Sequence, residues 1–459
     1  MSPRNGSVIE MIVDFLIIGG GIAGLTAGSI LSEEFNTMII EKEPIDTIRN
    51  DPWVVLAAPM IRNLGEVGID SDILEPIYMD DIQVHDTNGK VVFEYSYPLI
   101  ITKLSRIRSA FLKNFDLSVI EKTSVSKDFI EEKGIIKKMR IENRRSDIIA
   151  PQFIVDTSGR SLVISRRSLI AQSHRLYRHN IFRYFQSMFS DINRSAIDRD
   201  VFHVVIGDLY TPAGMSSLFI IGDKAYIIGF YNNFLSSVAP KYRGRFVKNL
   251  LGVGGRLVSV NDWIIPLSHP IVNPTYANAF LMGFANLSIY PFFTSGVNHN
   301  ISQTQELTWK LSRIIAKEDD IEAISLKYAW EFIHKHIFKG FLNDIMRIFL
   351  LGLRSYQLEN MVTMFFELLK TSSGSSDFSD ILVLARLTMD TLDKLGLTRK
   401  VEKIISIIIE FHRIYEKEPE EISEVQEKAR KFNSFYVQKI GEILPEEMKR
   451  KISFKQLGL

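Results

Sequence analysis

An α/β fold is predicted by three features of the 459-residue chain. An Ile-rich apolar run, Asp14-Phe15-Leu16-Ile17-Ile18, breaks into glycines at Gly19, Gly20 and Gly21 and continues as a helical pattern to Gly28. From about residue 177 to 275 the pattern changes to short apolar segments separated by turn residues. Beyond Gln303 apolar residues recur at helical spacing almost throughout. Together these predict a parallel-sheet nucleotide-binding domain, an antiparallel sheet inserted into it, and a C-terminal helical region. The expected divisions are residues 1–176 for the first part of the nucleotide-binding domain, 177–275 for the inserted sheet, 276–315 for the return segment and 316–459 for the helices. A hairpin over residues 81–97 is expected to join the inserted sheet.

The opening motif is of the Rossmann type. Gly19 permits a tight strand-to-helix turn, Gly21 lets backbone approach a pyrophosphate, and Gly24 lets the helix pack closely on its strand. The first turn of that helix, Ile22, Ala23 and Gly24, then offers free N–H groups and a positive dipole end to phosphate. Glu41 ends the next Ile-rich strand, 22 positions after Gly19, and Lys42 follows it. An acid at that place accepts hydrogen bonds from an adenosine ribose and rejects a 2′-phosphate, which points to FAD or NAD rather than NADP. The plain alternative is a glycine-rich turn without a ligand. Strand, glycines, helix and terminal acid in one unit argue against it.

The remaining elements follow in order. Residues 61–69 read as a short helix ending near Gly68, and Asp81–Asp86 and Val91–Tyr95 as a hairpin around Thr87-Asn88-Gly89-Lys90. Residues 103–115 carry Leu104, Ile107, Phe111 and Leu112 on one helical face. Val119-Ile120-Glu121 is the next parallel strand, a β-meander spans 124–142, and Phe153-Ile154-Val155-Asp156 is a buried strand. Strands Val201–Ile206, Ser217–Ile221 and Ala225–Phe230 build the inserted sheet. Ala279-Phe280-Leu281-Met282-Gly283 returns to the first one. A linker is expected at 371–377.

Composition narrows the function. A net charge of +1 disfavours nucleic acid as a partner, and the absence of cysteine excludes disulfides, thiolate catalysis and sulfur-ligated metal. Abundant Ile, Lys, Arg and Glu fit a thermophile. Residues 1–10 are short and polar, so no secretory leader is expected. Apolar runs such as 404–409 are cut by charges and read as helix faces. The expectation is a cytoplasmic protein, with peripheral contact at the inner face of a membrane where the apolar C-terminal helices 345–351 and 361–366 would rest. These faces serve equally as helix–helix core.

Three blocks in this order resemble the flavoprotein family that includes geranylgeranyl reductases, aromatic hydroxylases and flavin halogenases. The first is the motif above. The second is Val155-Asp156-Thr157-Ser158-Gly159-Arg160-Ser161, similar to the family's strand-ending Asp-x-x-Gly segment beside the FAD pyrophosphate. The third runs from Leu281-Met282-Gly283-Phe284-Ala285-Asn286 to Pro291-Phe292-Phe293-Thr294-Ser295-Gly296-Val297, similar to the stretch that passes the ribityl chain and flavin ring. The resemblance covers about residues 12–315 and implies FAD bound by Gly19, Gly21, Ile22, Ala23, Gly24, Glu41, Lys42, Asp156, Gly159, Gly283, Pro291, Gly296 and Val297. The likeness is greatest to geranylgeranyl reductases. Thr211–Phe219 resembles their substrate signature, Ile265-Pro266-Leu267 their Ile-Pro element, and the segment around Leu326–Trp330 their helical extension. That implies saturation of isoprenoid double bonds in archaeal membrane lipids or prenyl diphosphates by hydride from reduced flavin. An external donor, a reduced nicotinamide or ferredoxin, is implied as well. A flavin-dependent aromatic hydroxylase and a non-catalytic lipid- or protein-binding descendant are the competing readings.

The departures are specific. Phe284 stands where the family has an Asp, and one lost charge-assisted hydrogen bond is worth roughly 1.5–3 kcal/mol, about 10- to 150-fold in affinity. Met215 and Ser217 replace the signature's Tyr and Trp. Lys103 or Arg106 is expected to substitute for the helix arginine that touches FAD. No catalytic residue is assigned. Tyr226, Tyr231, Tyr290 and His299 are candidate proton donors, each read equally as packing, with Phe292 and Phe293 as candidate tunnel wall. His334 and His336 are expected to face different sides of a helix and bind no metal.

Overall fold

The computed structural model describes residues 10–45, 51–86, 88–142, 147–193, 195–206, 215–234, 239–287, 295–351, 357, 360, 392–444 and 446–452. In chain order the strands are β1 Glu10–Ile18, β2 Thr37–Ile40, β3 Trp53–Ala57, β4 Ile77–His85, β5 Val91–Lys103, β6 Ser118–Ile120, β7 Ser124–Glu132 and β8 Ile135–Glu142. They continue with β9 Ile148–Asp156, β10 Ile181–Ser190, β11 Val201–Ile206, β12 Met215–Ile221, β13 Lys224–Asn232, β14 Arg256–Pro266, β15 Thr275–Tyr276 and β16 Ala279–Leu281. The α-helices are α1 Ile22–Leu31, α2 Ala58–Glu66, α3 Leu104–Asn114, α4 Ser165–Ala171, α5 Pro240–Leu250, α6 Ser295–Ile315, α7 Ile321–Phe332, α8 Phe338–Leu351, α9 Thr398–Ile414 and α10 Ile422–Ile443.

These strands form two sheets. The first has the order β15-β16-β9-β1-β2-β6, parallel from β16 to β6, with the β7–β8 hairpin attached to the start of β9. Its strands are apolar on both sides because both faces are covered. One face buries Phe15, Ile17, Phe153 and Phe280 with α1, α3 and α6, and the other buries Leu16, Ile154 and Leu281 beneath Ile136, Met139 and Ile141 of β8. The first core runs on without a break through Phe341, Phe411, Phe432 and Tyr436, so the C-terminal helices share the interior of the first sheet.

The second sheet has the order β14-β10-β13-β12-β11-β4-β5-β3. It contains the β4–β5 hairpin, and its pairs are antiparallel with one exception, β4 with β11. An antiparallel pair is dictated where a short turn joins two strands. His85 and His203 lie 118 residues apart in the chain, and no turn sets their direction. The expectation of a purely antiparallel sheet is corrected at this junction. Alternation along β13 places Tyr226 and Ile228 on one face and Ile227 and Tyr231 on the other. The Tyr231 face is closed by α5, whose buried Arg243 lies 3.8 Å over the Tyr231 ring. The opposite face curls until the sheet's terminal strand β3 reaches its other end. Trp53 N–H donates to Gln186 Oε1 (3.0 Å), and the indole packs on Phe219 and Tyr226.

Candidate functional site

The three sequence blocks converge where β1, β9 and β16 end. Gly19 takes φ +103°, and a Cβ there would lie 2.7 Å from the Thr157 carbonyl oxygen. Thr157 ties the first two blocks together: its N–H donates to Ile18 O (3.0 Å), and its hydroxyl to Gly19 O (2.8 Å). The third block docks through Met282 N–H to Asp156 O (3.1 Å) and through Gly283, where a Cβ would come within 2.7 Å of the Ala23 methyl. Gly24 is tighter still, with an added Cβ 1.8 Å from Gly19 O. Four glycines therefore serve different ends. Gly19 and Gly24 allow backbone to touch backbone and Gly283 makes room for the Ala23 methyl, whereas a Cβ at Gly21 would meet nothing within 4 Å.

Gly21 is the N-cap of α1 and supplies no side-chain cap. The first bond of this helix is Leu25 N–H to Gly21 O (2.9 Å), so the N–H groups of Ile22, Ala23 and Gly24 precede the intrahelical ladder. No acidic residue occupies the first turn. Open space before an uncapped helix start is a cradle for an anion.

Beside it, Glu41 follows β2. Its carboxylate accepts from Gly20 N–H (2.6 Å) and Glu43 N–H (2.9 Å), which fixes its position at the edge of the crevice. Arg108 of α3 is buried, and its guanidinium lies 3.9 Å from Glu41. Its Nε and one terminal nitrogen have no hydrogen-bond partner among the described residues. Burial is the main influence on Arg108 and lowers its pKa, while Glu41 opposes the shift. A buried guanidinium with unspent donors suits a phosphate or a ribose hydroxyl. The crevice itself, about 550 Å³, is lined by Gly19, Glu41, Lys42, Ser126, Ser158 and Arg160 among others. It lies beyond the carboxyl ends of β1 and β2, the position where open α/β sheets take ligands.

Asp156 has a different place from the one expected. It is fully buried, and its carboxylate accepts from Ser158, Ile164 and Ser165 N–H at 2.8–2.9 Å. It builds the turn that presents Gly159 and does not itself face the crevice. Gly159 has φ +60° and open space beside it. Phe284 is half-buried and packs on the main core. Gly296 and Val297 lie in the first turn of α6, Val297 against the same core. Pro291, Tyr290, Phe292, Phe293 and the linker 371–377 lie outside the described residues, as does the 361–366 face.

The basic residue beside Glu41 is neither Lys103 nor Arg106. Lys103 donates to Asp51 O and covers the Trp53 ring, and Arg106 pairs with Glu75. Arg108 sits four residues after Leu104 and so falls on the buried stripe of α3, a charge within an apolar face. That phase was the available signal. His334 lies tilted against Trp330, while His336 approaches Glu306, on separate sides. No group of three or more His, Cys, Asp or Glu among the described residues can hold a metal, and no described helix is long and apolar enough to cross a membrane.

No protein-family model matches the chain, and no curated protein matches it in sequence. Solved structures do. One is a geranylgeranyl bacteriochlorophyll reductase-like protein from Thermoplasma acidophilum, with TM-score 0.65 and 17% identity over 84% of this chain and 99% of that one. Another is PqsL from Pseudomonas aeruginosa, a probable FAD-dependent monooxygenase, with TM-score 0.58 and 15% identity over 78% of this chain and 98% of that one. Klebsiella pneumoniae HpxO, in complex with FAD, gives TM-score 0.57 and 14% identity over 78% and 94%. At this identity the likeness is one of architecture, and the architecture is that of FAD-dependent oxidoreductases.

Proposed function

We propose that the protein is an FAD-dependent oxidoreductase of the geranylgeranyl reductase type, saturating isoprenoid double bonds of membrane lipids or prenyl precursors. The observation that carries the cofactor assignment is the open cradle at Gly21, where three blocks meet beside the buried Arg108–Glu41 pair. Bound and reduced, FAD would supply a hydride to one alkene carbon, with a proton from solvent completing the saturation at the other. The protein's own part is to bind and to orient. The α1 N-terminus would hold the pyrophosphate, with Arg108 adding positive charge, and Glu41 and Lys42 would take the adenosine end. Gly159, Gly283, Gly296 and Val297 frame the rest.

An isolated alkene offers no handle for acid catalysis, so alignment in an apolar, water-excluding space is what remains for side chains to provide. Trp53, Phe202, Phe219, Tyr226 and Ile228 make one face of the second sheet apolar and pack it closely on itself, and the proposal sets the prenyl chain along this sheet. The proposal includes an external electron donor, a reduced nicotinamide or ferredoxin. It also includes peripheral contact with a membrane surface, for which Ile405 and Ile409 stand exposed on α9. The likeness to PqsL favours a second reading, an aromatic hydroxylase on the same fold.

The visible absorption spectrum of the purified protein, before and after FAD and dithionite, tests the cofactor. Flavin bands that bleach reversibly are the expected result. Saturation of a prenyl substrate by the reduced protein then supports the reductase, and oxygen uptake on adding a phenol supports the hydroxylase. Protein that refuses FAD leaves the non-catalytic lipid- or protein-binding reading in its place.

A further inference from the structure

The chain crosses between the sheets four times, and the last two crossings run through residues 172–180 into β10 and back through 267–274 from β14. Helix α10 lies against both crossings, and the three segments enclose a second cavity of about 190 Å³. It is walled by His174, His179, His269, Asn433, Tyr436 and Ile440, and none of its lining residues borders the crevice at Gly19.

Two imidazoles of the wall have spent their donors and kept their acceptors. His269 Nδ1 lies 2.9 Å from the Pro270 carbonyl oxygen, and His179 Nδ1 lies 3.3 Å from that of Met448. A carbonyl only accepts, so each Nδ1 carries the proton of its ring. Burial lowers the pKa of both imidazoles and keeps them neutral, which leaves each Nε2 a bare lone pair. Asn433 donates through Nδ2 to Gln172 O (2.9 Å), which ties α10 to the first of these crossings. The Tyr436 hydroxyl proton is given to Asp344, so its oxygen too can only accept. Buried acceptors left unmet are costly, and a ligand bringing donors relieves them.

We infer that this cavity is a binding site for a small neutral molecule, one ring bearing two or more O–H or N–H donors, of the phenol or aromatic-amide class. A cavity of about 150 Å³ holds benzene, so the space here suits a single ring with small substituents. Tyr436 stands edge-on to His269 with centroids 4.5 Å apart, and Tyr177 stacks on His179 at 5.6 Å, which gives flat walls. Arg175 and Lys449 also line the cavity and oppose a cation. An acceptor-only anion is drawn by these cations but meets the lone pairs of the imidazoles, and benzoate bound as tightly as resorcinol would overturn the inference.

Titration calorimetry of the full-length protein with resorcinol, toluene and benzoate tests the assignment. Resorcinol is expected to bind at least tenfold more tightly than the other two. Gly441 of α10 lines the cavity, and a Cβ there meets nothing within 4 Å. Gly441→Leu therefore fills the space without removing a core atom. It is expected to weaken resorcinol at least tenfold with an unchanged or higher melting temperature and unchanged uptake of FAD. Absence of resorcinol binding to the unmodified protein, equal binding to Gly441→Leu, or equal binding of toluene overturns the inference.

Discussion

A methyl group added at Gly24 would fall 1.8 Å from the Gly19 carbonyl oxygen, backbone that has nowhere to go, whereas one added at Gly21 meets only open space. The two glycines therefore predict opposite phenotypes. Gly24→Ala should destabilise the fold by at least the ~1–3 kcal/mol typical of overpacking. Gly21→Ala should stay within about 0.5 kcal/mol of the parent, as an unobstructed substitution does. Its loss should appear in FAD affinity alone. Denaturant melts and FAD titrations on both variants check this, and equal destabilisation would sink the distinction. Arg108→Ala belongs to the same scale. Losing one charge-assisted hydrogen bond of about 1.5–3 kcal/mol should weaken FAD by roughly 10- to 150-fold, while Arg106→Ala, whose partner is Glu75, should leave it unchanged. The glycine spacing was legible in the sequence because each glycine answers a local steric demand. Arg108 was not singled out, because its role depends on which face of α3 is buried, and that is set by neighbours distant in the chain. Asp156 was visible as a residue but not as a turn-builder, since its bonds run to N–H groups of Ile164 and Ser165 that no motif specifies.

At the scale of elements, strands and helices followed from periodicity where the chain supplies a local turn. The β4–β5 hairpin around Gly89 and the β12–β13 turn at Gly222 are of that kind. The parallel β4–β11 pair and the return of β3 over Tyr226 are not, because the partners meet only in the folded molecule. The same holds for the tie between the C-terminal helices and the second sheet. Asp344 and Arg347 of α8 form a buried ion pair. Asp344 also accepts the Tyr436 hydroxyl from α10, and Arg347 donates to the carbonyl of His179 at the entry to β10. Removing one partner leaves the other charge buried alone. Asp344→Leu should therefore cost about 3–5 kcal/mol, and adding Arg347→Met should recover most of it. Chemical denaturation of the two variants is the measurement. A single-variant loss below about 1 kcal/mol would mean that water reaches the guanidinium and the tie is not dry.

At the scale of the whole molecule, buried histidines make stability depend on pH. His179, His174 and His269 lie where the crossings meet α10, and His203 lies at the parallel junction of the second sheet. Burial is the leading cause that lowers each pKa, to about 3 for His179 and about 4 for His203. Well above pH ~6.5 these side chains are neutral whether the chain is folded or unfolded, and they add no pH dependence. Below it the unfolded chain binds protons that the folded one refuses, so stability falls as pH falls. The fall continues until the folded pKa is reached. Each such group contributes a slope of up to about 1.4 kcal/mol per pH unit, so His179 and His203 together approach about 3. Against a typical total of about 5–15 kcal/mol, acid unfolding should set in well above pH 3. Urea melts at pH 7.5, 6.5 and 5.5 should show a midpoint that falls slightly over the first interval and about three times as much over the second, with the m-value unchanged. His203→Gln, which cannot titrate, should make the drop shallower. A midpoint that stays level to pH 5.5 would mean that the folded protein takes up these protons as readily as the unfolded chain. The cavity at α10 would then hold imidazolium donors rather than the acceptors on which its choice of ligand depends.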